Sequence, residues 1–290
     1  MSTEVSEQIT QRSASNLALA FIVLPRPKRA AMSALYAFCR EVDDVADEDS
    51  RPVDERRQRL SEWREDVRVA CDGGNPRFPV NRELQPVISE FRLPFRLFHE
   101  LIQGVEMDLT QTRYPDETAL ETYCYHVASV VGLLSIEIFG YTDPGCRDYA
   151  VHLGKALQLT NILRDVGNDA VRGRIYIPED QLRRFGVTAD EILNHQPSER
   201  FQALALWLAS RARDYFARSR ASLPATDRRN MVAAELMGSV YWRLLRVLEK
   251  EQFPVLSSVP VRLSKATKIS VILRAWMRVK TGLPLAAYGR

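Results

Sequence analysis

Two pairs of aspartates stand out because the members of each pair are four residues apart and share one face of a helix. Asp43 and Asp47 form the first pair, and Asp165 and Asp169 form the second. Like charges at this spacing destabilise an isolated helix by about 0.2–0.5 kcal/mol, and burial raises that cost. Magnesium would offset the repulsion, since it takes oxygen ligands and often joins one or two carboxylates to substrate phosphates. The pairs therefore predict a metal site for a diphosphate substrate.

The neighbours of both pairs are consistent with this chemistry. Tyr36 and Arg40 precede the first pair, and Gln158 and Asn161 precede the second, so that each helix carries one polar stripe. The adjoining arginines are Arg40, Arg164, Arg172 and Arg174, and guanidinium matches phosphate geometry. A single Asp-x-x-x-Asp is more often a solvated helix face. Two such motifs, with more arginines than the pairs require, favour a site.

The elements that must position these residues are helices. Apolar residues recur at helical spacing, with prolines at the joints, over 27–48, 54–71, 95–111, 117–140, 145–170, 198–222, 228–252 and 262–281. The piece 174–178 is strand-like, and we expect it to be a loop that leaves the second aspartate helix. No linker or fixed-period repeat interrupts the pattern. One all-α domain over 1–290 is the economical interpretation.

Composition excludes several classes of function. A chain of 290 residues with 46% hydrophobic content can bury a large core. A net charge of +3, without a basic run interleaved with aromatics, argues against a nucleic-acid partner. The four cysteines are widely spaced and indicate neither a zinc site nor disulfides, so a reducing, cytoplasmic location is expected. Neither a signal peptide nor a run of roughly 18 apolar residues is found, so we expect no integral membrane protein.

Four strings carry more information than the aspartates alone. They are Ala34–Asp44 (ALYAFCREVDD), Gly104–Leu109 (GVEMDL), Tyr123–Ala128 (YCYHVA) with Val131 and Gly132, and Gln158–Gly167 (QLTNILRDVG). Together they resemble the squalene/phytoene synthase family of head-to-head prenyl transferases, and the likeness extends from about Leu19 to Trp276. The resemblance implies the isoprenoid synthase fold, in which helices surround a central apolar cavity.

The resemblance also implies a mechanism. The two aspartate motifs would face each other across the cavity and hold a magnesium cluster, with manganese as the alternative metal. The implied metal ligands are Asp43, Asp47, Asn161, Asp165 and Asp169. Together with the metals, Arg40, Arg164 and Arg174 would stabilise the departing pyrophosphate. Its loss leaves an allylic cation, which the double bond of a second prenyl diphosphate attacks.

The predicted walls of the cavity are apolar because the cation must be kept from water. The tyrosines Tyr36, Tyr125 and Tyr241 either contact the substrate or pack at the core boundary. Val127 and Ala128 either meet a prenyl chain or mark tight helix packing. The remaining predicted substrate contacts are His126, Gln158, Asn161 and Arg174. Three places depart from the family pattern: Asn16-Leu17 replaces a Ser-Phe-like pair, His126 replaces a tyrosine, and Ser258 replaces a basic residue whose charge Arg262 or Lys265 would supply.

Among the reactions of the family, the strings Glu41–Glu48 (EVDDVADE) and Val127–Leu134 (VASVVGLL) most resemble those of the presqualene diphosphate synthases of bacterial hopanoid pathways. These enzymes join two farnesyl diphosphates. No glycine-rich dinucleotide motif is present, so no NADPH requirement is expected. Phytoene or dehydrosqualene synthesis is the alternative. A hypothesis of another class is a non-catalytic helical protein that acts in assembly or membrane interaction, although such a protein would not need to keep its aspartates.

The C-terminal segment suggests a second partner. From 252 to 290 there are seven basic residues and no acidic residue. Ile269, Ile272, Leu273 and Trp276 share one face of the predicted helix. Such a helix could rest on the inner surface of an anionic membrane, or it could pack this face on the core.

Overall fold

In a computed structural model, the protein is described over residues 4–12, 20–257 and 261–280 and at Tyr288. The helices are α1 (Glu4–Arg12), α2 (Arg26–Asp47), α3 (Val53–Cys71), α4 (Pro79–Phe91), α5 (Phe95–Met107), α6 (Glu117–Cys124), α7 (Val130–Phe139), α8 (Gly145–Val171), α9 (Glu179–Phe185), α10 (Ala189–Leu193), α11 (Glu199–Ser222), α12 (Val232–Lys250) and α13 (Lys265–Lys280). Within these ranges no strand is found. The all-α prediction is confirmed, and all eight predicted helices are present.

Helices α1, α4, α9 and α10 lie outside the predicted helical ranges. For α4, Pro79 indicated a joint between helices. Pro79 lies in the first turn, where a missing N–H costs nothing, and Pro86 lies inside the helix. Val80, Leu84 and Ile88 recur every four residues and are buried. Burial of this apolar face accounts for a helix that the proline count argued against.

The two aspartate helices each bury one face in the core. In α2 the buried residues include Ala34, Phe38, Val42 and Val45. Helix α8 has 27 residues, a length of about 40 Å, and it packs along α11, α7 and the segment between α6 and α7. Buried hydrophobic residues from both helices belong to one core cluster. This packing fixes the direction of the two polar stripes.

The segment Tyr125–Ser129 between α6 and α7 is a π-helical turn. Two glycines of neighbouring helices lie against it. A Cβ on Gly104 of α5 would lie 2.6 Å from the Cβ of His126, and a Cβ on Gly154 of α8 would lie 2.6 Å from the Cα of Ser129. Larger side chains at either glycine would therefore displace the turn. Such π turns are frequent at functional sites.

The continuous helical segment Glu117–Phe139, which includes this turn, is long and apolar enough to cross a membrane by length and composition alone. However, 56% of its most apolar window is buried inside the protein. A core helix passes the same test. The segment 174–178 is a loop, as expected: the Ile175 amide donates to the Thr112 carbonyl at 3.0 Å, and Ile175 and Ile177 are buried.

Candidate active site

A polar pocket of about 340 Å³ lies where α2, α5, α6 and α8 meet. Three of the four predicted metal-binding aspartates line it: Asp43, Asp165 and Asp169. The other predicted site residues in its lining are Tyr36, Arg40, Val127, Gln158, Asn161 and Arg164. The structure therefore gathers residues that are more than 120 positions apart in the chain into one cavity. We call this cavity the polar pocket.

Asp43 faces the polar pocket beside Arg40. The Arg40 guanidinium lies 3.5 Å from the Asp43 carboxylate and 2.5 Å from that of Asp44. The Asp43 side chain is 53% exposed. This exposed part faces the inside of the pocket, where the surrounding protein limits contact with bulk water. This restricted solvation, followed by the charge of Asp47, raises the pKa of Asp43 to about 7. A carboxylate in this state is stabilised by an additional cation.

Asp47 lies outside the pocket lining and is paired with arginines of the loop after α8. Its Oδ1 lies 2.7 Å from Nη1 of Arg172 and 3.5 Å from Nη1 of Arg174. These ion pairs connect the first aspartate helix to the end of the second. The guanidinium groups thus neutralise the carboxylate at which a metal ion was predicted.

In the second pair, Asp165 is bound by its own neighbour. Nε of Arg164 donates to Asp165 Oδ1 at 2.8 Å, and Nη2 donates to Oδ2. Against the effect of burial, Asp165 and Tyr241 raise the pKa of Arg164. Asp169 also lines the pocket, and burial followed by the charge of Asp165 raises its pKa to about 7. Each pair therefore has one carboxylate bound closely by arginine, at Asp47 and Asp165, and one carboxylate in the pocket lining with a raised pKa, at Asp43 and Asp169.

Asp108 at the end of α5 is a site residue that the aspartate spacing did not reveal. It lines the polar pocket, and it accepts hydrogen bonds from Tyr123 at 2.9 Å and from Tyr176 at 2.8 Å. Nη2 of Arg174 donates to its backbone carbonyl at 3.2 Å. Asp108 lies in the GVEMDL string, but it has no carboxylate four residues away. That string was therefore the available signal.

Asp108 couples the two aspartate pairs. Its negative charge contributes to the raised pKa of both Asp43 and Asp169. The pKa of Asp108 itself is raised by burial, against the hydrogen bond from Tyr176 and the charge of Arg174. The pocket thus collects several carboxylates with restricted solvation, which is an environment that favours a multivalent cation.

Asn161 provides an independent test of whether a metal fits. Its Oδ1 atom is buried and has no hydrogen-bond partner in the part of the chain that the structure describes, and Asn161 lines the polar pocket. An unsatisfied amide oxygen can accept from a cation or from its bound water. Among the described residues, no group of three His, Cys, Asp or Glu side chains could hold a metal by itself. The residues therefore fit a magnesium ion that is shared with waters and substrate phosphates.

A second, apolar cavity of about 210 Å³ continues from the polar pocket. The two share the lining residues Val127, Val131, Gln158 and Asn161. Predicted site residues Ala128 and Tyr241 line the apolar cavity, and its other walls include Phe21, Met32, Ile136, Phe139, Leu153 and Met237. The predicted central apolar cavity, with helices around it, is present.

Tyr125 and His126 lie outside the linings of both cavities. The Tyr125 hydroxyl donates to the Glu100 carboxylate at 3.2 Å, and Nδ1 of His126 is 3.1 Å from the Glu100 carbonyl. Within the π turn, Val127 and Ala128 line the apolar cavity. Tyr125 and His126 contact α5 instead. A substrate contact by Tyr125 or His126 stays a prediction. Asn16, Leu17 and Ser258 lie outside the described residues.

A helical fold with an apolar cavity that ends in a carboxylate-lined pocket defines the isoprenoid synthase class. The family model for squalene/phytoene synthase matches residues 10–267. A presqualene diphosphate synthase of Rhodopseudomonas palustris is 38% identical over 90% of this chain and 92% of the relative. A phytoene synthase of Mycobacterium tuberculosis is 36% identical over 84% of this chain and 80% of the relative.

A crystal structure of a dehydrosqualene synthase in complex with ligand matches with a TM-score of 0.83 and 28% sequence identity, covering 96% of both chains. The chain belongs to the squalene/phytoene synthase family. It is thus a prenyltransferase-type enzyme of a family that uses prenyl diphosphates and generally needs a divalent metal. The resemblance in the four sequence strings is confirmed.

Proposed function

We propose that this chain joins two farnesyl diphosphates head to head, forming presqualene diphosphate and releasing pyrophosphate. The observation that carries the proposal is the continuity of the apolar cavity with the polar pocket through Val127, Val131, Gln158 and Asn161. A prenyl tail would occupy the apolar cavity, and its diphosphate would occupy the polar pocket. The likeness to presqualene diphosphate synthases supports this product. The likeness to phytoene synthases supports the alternative.

Ionisation of the first substrate is the step that the polar pocket would promote. The magnesium ions, when bound by Asp43, Asn161, Asp165 and Asp169, would supply positive charge to the leaving diphosphate. Arg40 and Arg164 line the same pocket and would donate to the diphosphate oxygens. Because these donors are positioned before the reaction, they stabilise the developing charge without reorganisation.

The apolar cavity would protect the allylic cation from water. Its walls are largely aliphatic and aromatic, which limits the access of nucleophiles. The hydroxyl of Ser135, one of its polar lining groups, donates to the Val131 carbonyl at 2.7 Å. Tyr241 lines the cavity and contributes to the raised pKa of Arg164, so it would contact the cation close to the departing diphosphate.

The reaction would stop at presqualene diphosphate without NADPH. Product analysis by mass spectrometry tests this with purified protein, magnesium and either farnesyl or geranylgeranyl diphosphate, each with and without NADPH. We expect presqualene diphosphate from farnesyl diphosphate, unaffected by NADPH. The proposed product would be wrong if farnesyl diphosphate gave squalene or dehydrosqualene. It would also be wrong if geranylgeranyl diphosphate were the preferred substrate and gave phytoene. No turnover of either substrate would favour a non-catalytic assembly role.

We also propose that the protein is cytoplasmic and rests peripherally on the inner membrane surface through α13. Ile269, Leu273 and Trp276 are 60%, 52% and 45% exposed, which supports membrane contact over packing of this whole face on the core. Exposed Arg274 is on the same helix. An apolar stripe on a basic helix complements anionic lipid.

Vesicle co-sedimentation tests this location. We expect binding to phosphatidylglycerol vesicles at low salt, weaker binding at high salt, and little binding to phosphatidylcholine. Leu273→Ser should weaken binding. Leu206→Ser is the matched control, since Leu206 is 51% exposed on α11. Equal binding by the two variants, or no binding at low salt, would rule out this use of α13.

A further inference from the structure

A buried polar cluster that the proposed reaction does not use lies behind the wall of the apolar cavity. Glu235 of α12 is 2% exposed, and its Oε1 accepts hydrogen bonds from Tyr149 of α8 at 2.8 Å and from Tyr288. Both tyrosines are completely buried. Burial raises the pKa of Glu235, whereas the two phenol hydrogen bonds lower it. One carboxylate oxygen thus connects two helices and the C-terminal part of the chain.

The ring of Tyr288 fills a slot that a glycine leaves open. A Cβ on Gly238 would lie 2.8 Å from Cε1 of Tyr288 and 3.3 Å from Cδ1 of Leu153. Leu153 lines the apolar cavity. The Phe216 ring covers Tyr288 at a centroid distance of 5.5 Å. Tyr288 is therefore held directly behind the cavity wall without lining the cavity itself.

Tyr149, at the other side of the cluster, lines the apolar cavity. It precedes Asn161 by three and a third turns of α8, a distance of about 18 Å along the helix axis. Asn161 lies where the cavity meets the polar pocket. Tyr149 therefore lies at the end of the cavity that is remote from the aspartates. A prenyl chain anchored by its diphosphate would point its tail towards this residue.

We propose that Tyr288 is a positioning residue, which through Glu235 holds Tyr149 at the remote end of the cavity and so limits the length of prenyl chain accepted. This inference rests on the proposed function, since it assigns the cavity to prenyl tails. Without the Tyr288 phenol, the buried carboxylate loses one of the two phenol donors that it has among the described residues. The hydrogen bond from Tyr149 would then hold the carboxylate without this support, and the remote wall would be less fixed.

The test is the Tyr288→Phe variant, which keeps the ring and removes the hydroxyl. We expect the ratio of kcat/KM for geranylgeranyl to that for farnesyl diphosphate to rise by roughly five- to tenfold, since only part of the energy of one hydrogen bond to a buried charged group would act on substrate choice. Tyr149→Phe breaks the same link from the other side and should shift the ratio in the same direction. If Tyr288→Phe does not fold, the substrate ratio of Tyr149→Phe tests the inference.

Tyr215→Phe is the matched control. Tyr215 is 3% exposed and donates to the Glu121 carboxylate, but it lines neither cavity. The same loss of a phenol–carboxylate hydrogen bond there should lower stability and leave the substrate ratio unchanged. If Tyr288→Phe and Tyr149→Phe also leave the ratio unchanged, the cluster is only structural and the inference is wrong.

A binding measurement separates this inference from the proposed function. The unreactive thiolo analogues of farnesyl and geranylgeranyl diphosphate, added with magnesium, report tail length through the shift in melting temperature. A wild-type protein that binds the analogues without turning over either substrate would contradict the proposed reaction, while the variants would still test the role of Tyr288. If the wild type binds neither analogue, the cavity does not hold prenyl tails and the inference fails.

Discussion

The two aspartate pairs reach the same electrostatic arrangement by different routes. In the second pair, Asp165 is neutralised by the adjacent Arg164 on the same helix. In the first pair, Asp47 is neutralised by Arg172 and Arg174, which follow it by more than 120 residues. The Arg164–Asp165 contact needs only a folded helix, whereas the contacts of Asp47 with Arg172 and Arg174 require the complete fold. In both pairs, the other carboxylate faces the polar pocket with a raised pKa.

The largest expected effect comes from the two pocket-facing carboxylates. Asp43→Asn or Asp169→Asn should each lower kcat/KM by at least about 10²–10³-fold, since each removes a group that would hold the cations stabilising the transition state. Asp54→Asn is the control, because its side chain is 94% exposed on α3. Steady-state kinetics with farnesyl diphosphate measures the change. Similar activity in all three variants would contradict the assignment of the metal site.

The second prediction concerns variants that remove the arginine partner of Asp165 and one arginine partner of Asp47 separately. Arg164→Gln should lower the free energy of unfolding by about 2–3 kcal/mol, because it leaves the largely buried Asp165 without its partner. Arg172→Gln should cost at most about 1 kcal/mol, since this pair is more exposed and Arg174 remains near Asp47. Urea denaturation without metal gives both values. Equal losses would show that the local and tertiary pairs contribute alike.

The third prediction concerns pH. The pKa of Asp43 and that of Asp169 are raised from 3.8 to about 7, so below pH 7 magnesium must displace protons. Its apparent affinity should rise with pH up to about 7, by up to tenfold per unit for each proton displaced. Calorimetry in buffers of different ionisation enthalpy counts the released protons. Affinity that is flat between pH 5 and 8 would contradict the raised pKa values.

The stability of the metal-free protein should show the opposite trend. Between pH 4 and 7 the folded state binds more protons than the unfolded state at these raised pKa values, so stability falls as pH rises and then levels off above about 7. Asp43→Asn should reduce this slope and raise the melting temperature at pH 8. Thermal denaturation across this range measures both changes.

The smallest expected effect comes from a substitution at Asp108, which should change the pKa of one aspartate in each pair. Asp108→Asn removes a charge that raises the pKa of both Asp43 and Asp169. The pH midpoint of magnesium binding should therefore move down by a fraction of a unit. Tyr123→Phe, which removes one donor to Asp108, should move the midpoint much less. If Asp108→Asn leaves the midpoint unchanged, the two pairs are not coupled through this residue.

Sequence alone predicted eight helical segments and both aspartate pairs, because periodicity and i,i+4 spacing are local. It did not separate the roles within each pair, since the partners of Asp47 depend on how the loop after α8 returns to α2. Asp108 was missed as a site residue because its partners come from other elements. Helix α4 was missed because its proline signal is overridden by burial of Val80, Leu84 and Ile88.

The link between Glu235 and Tyr288 was also beyond prediction from sequence. These residues are separated by 53 positions, and nothing in their spacing indicates a contact. Gly238 provides space for Tyr288, but a single glycine inside a helix is ambiguous before the packing is known. Contacts that form only when the C-terminal part returns to the core leave no periodic signal.

The bridge from Arg172 and Arg174 to Asp47 means that the enzyme carries its own counterions. A metal ion held by Asp47, as the sequence predicts, would replace the guanidinium groups, and a diphosphate would replace the carboxylate as their partner. Loading the site would then be an exchange of ionic partners rather than the creation of new net charge. Once pyrophosphate and metal had left, the ion pairs could form again and restore the charge balance before the next turnover.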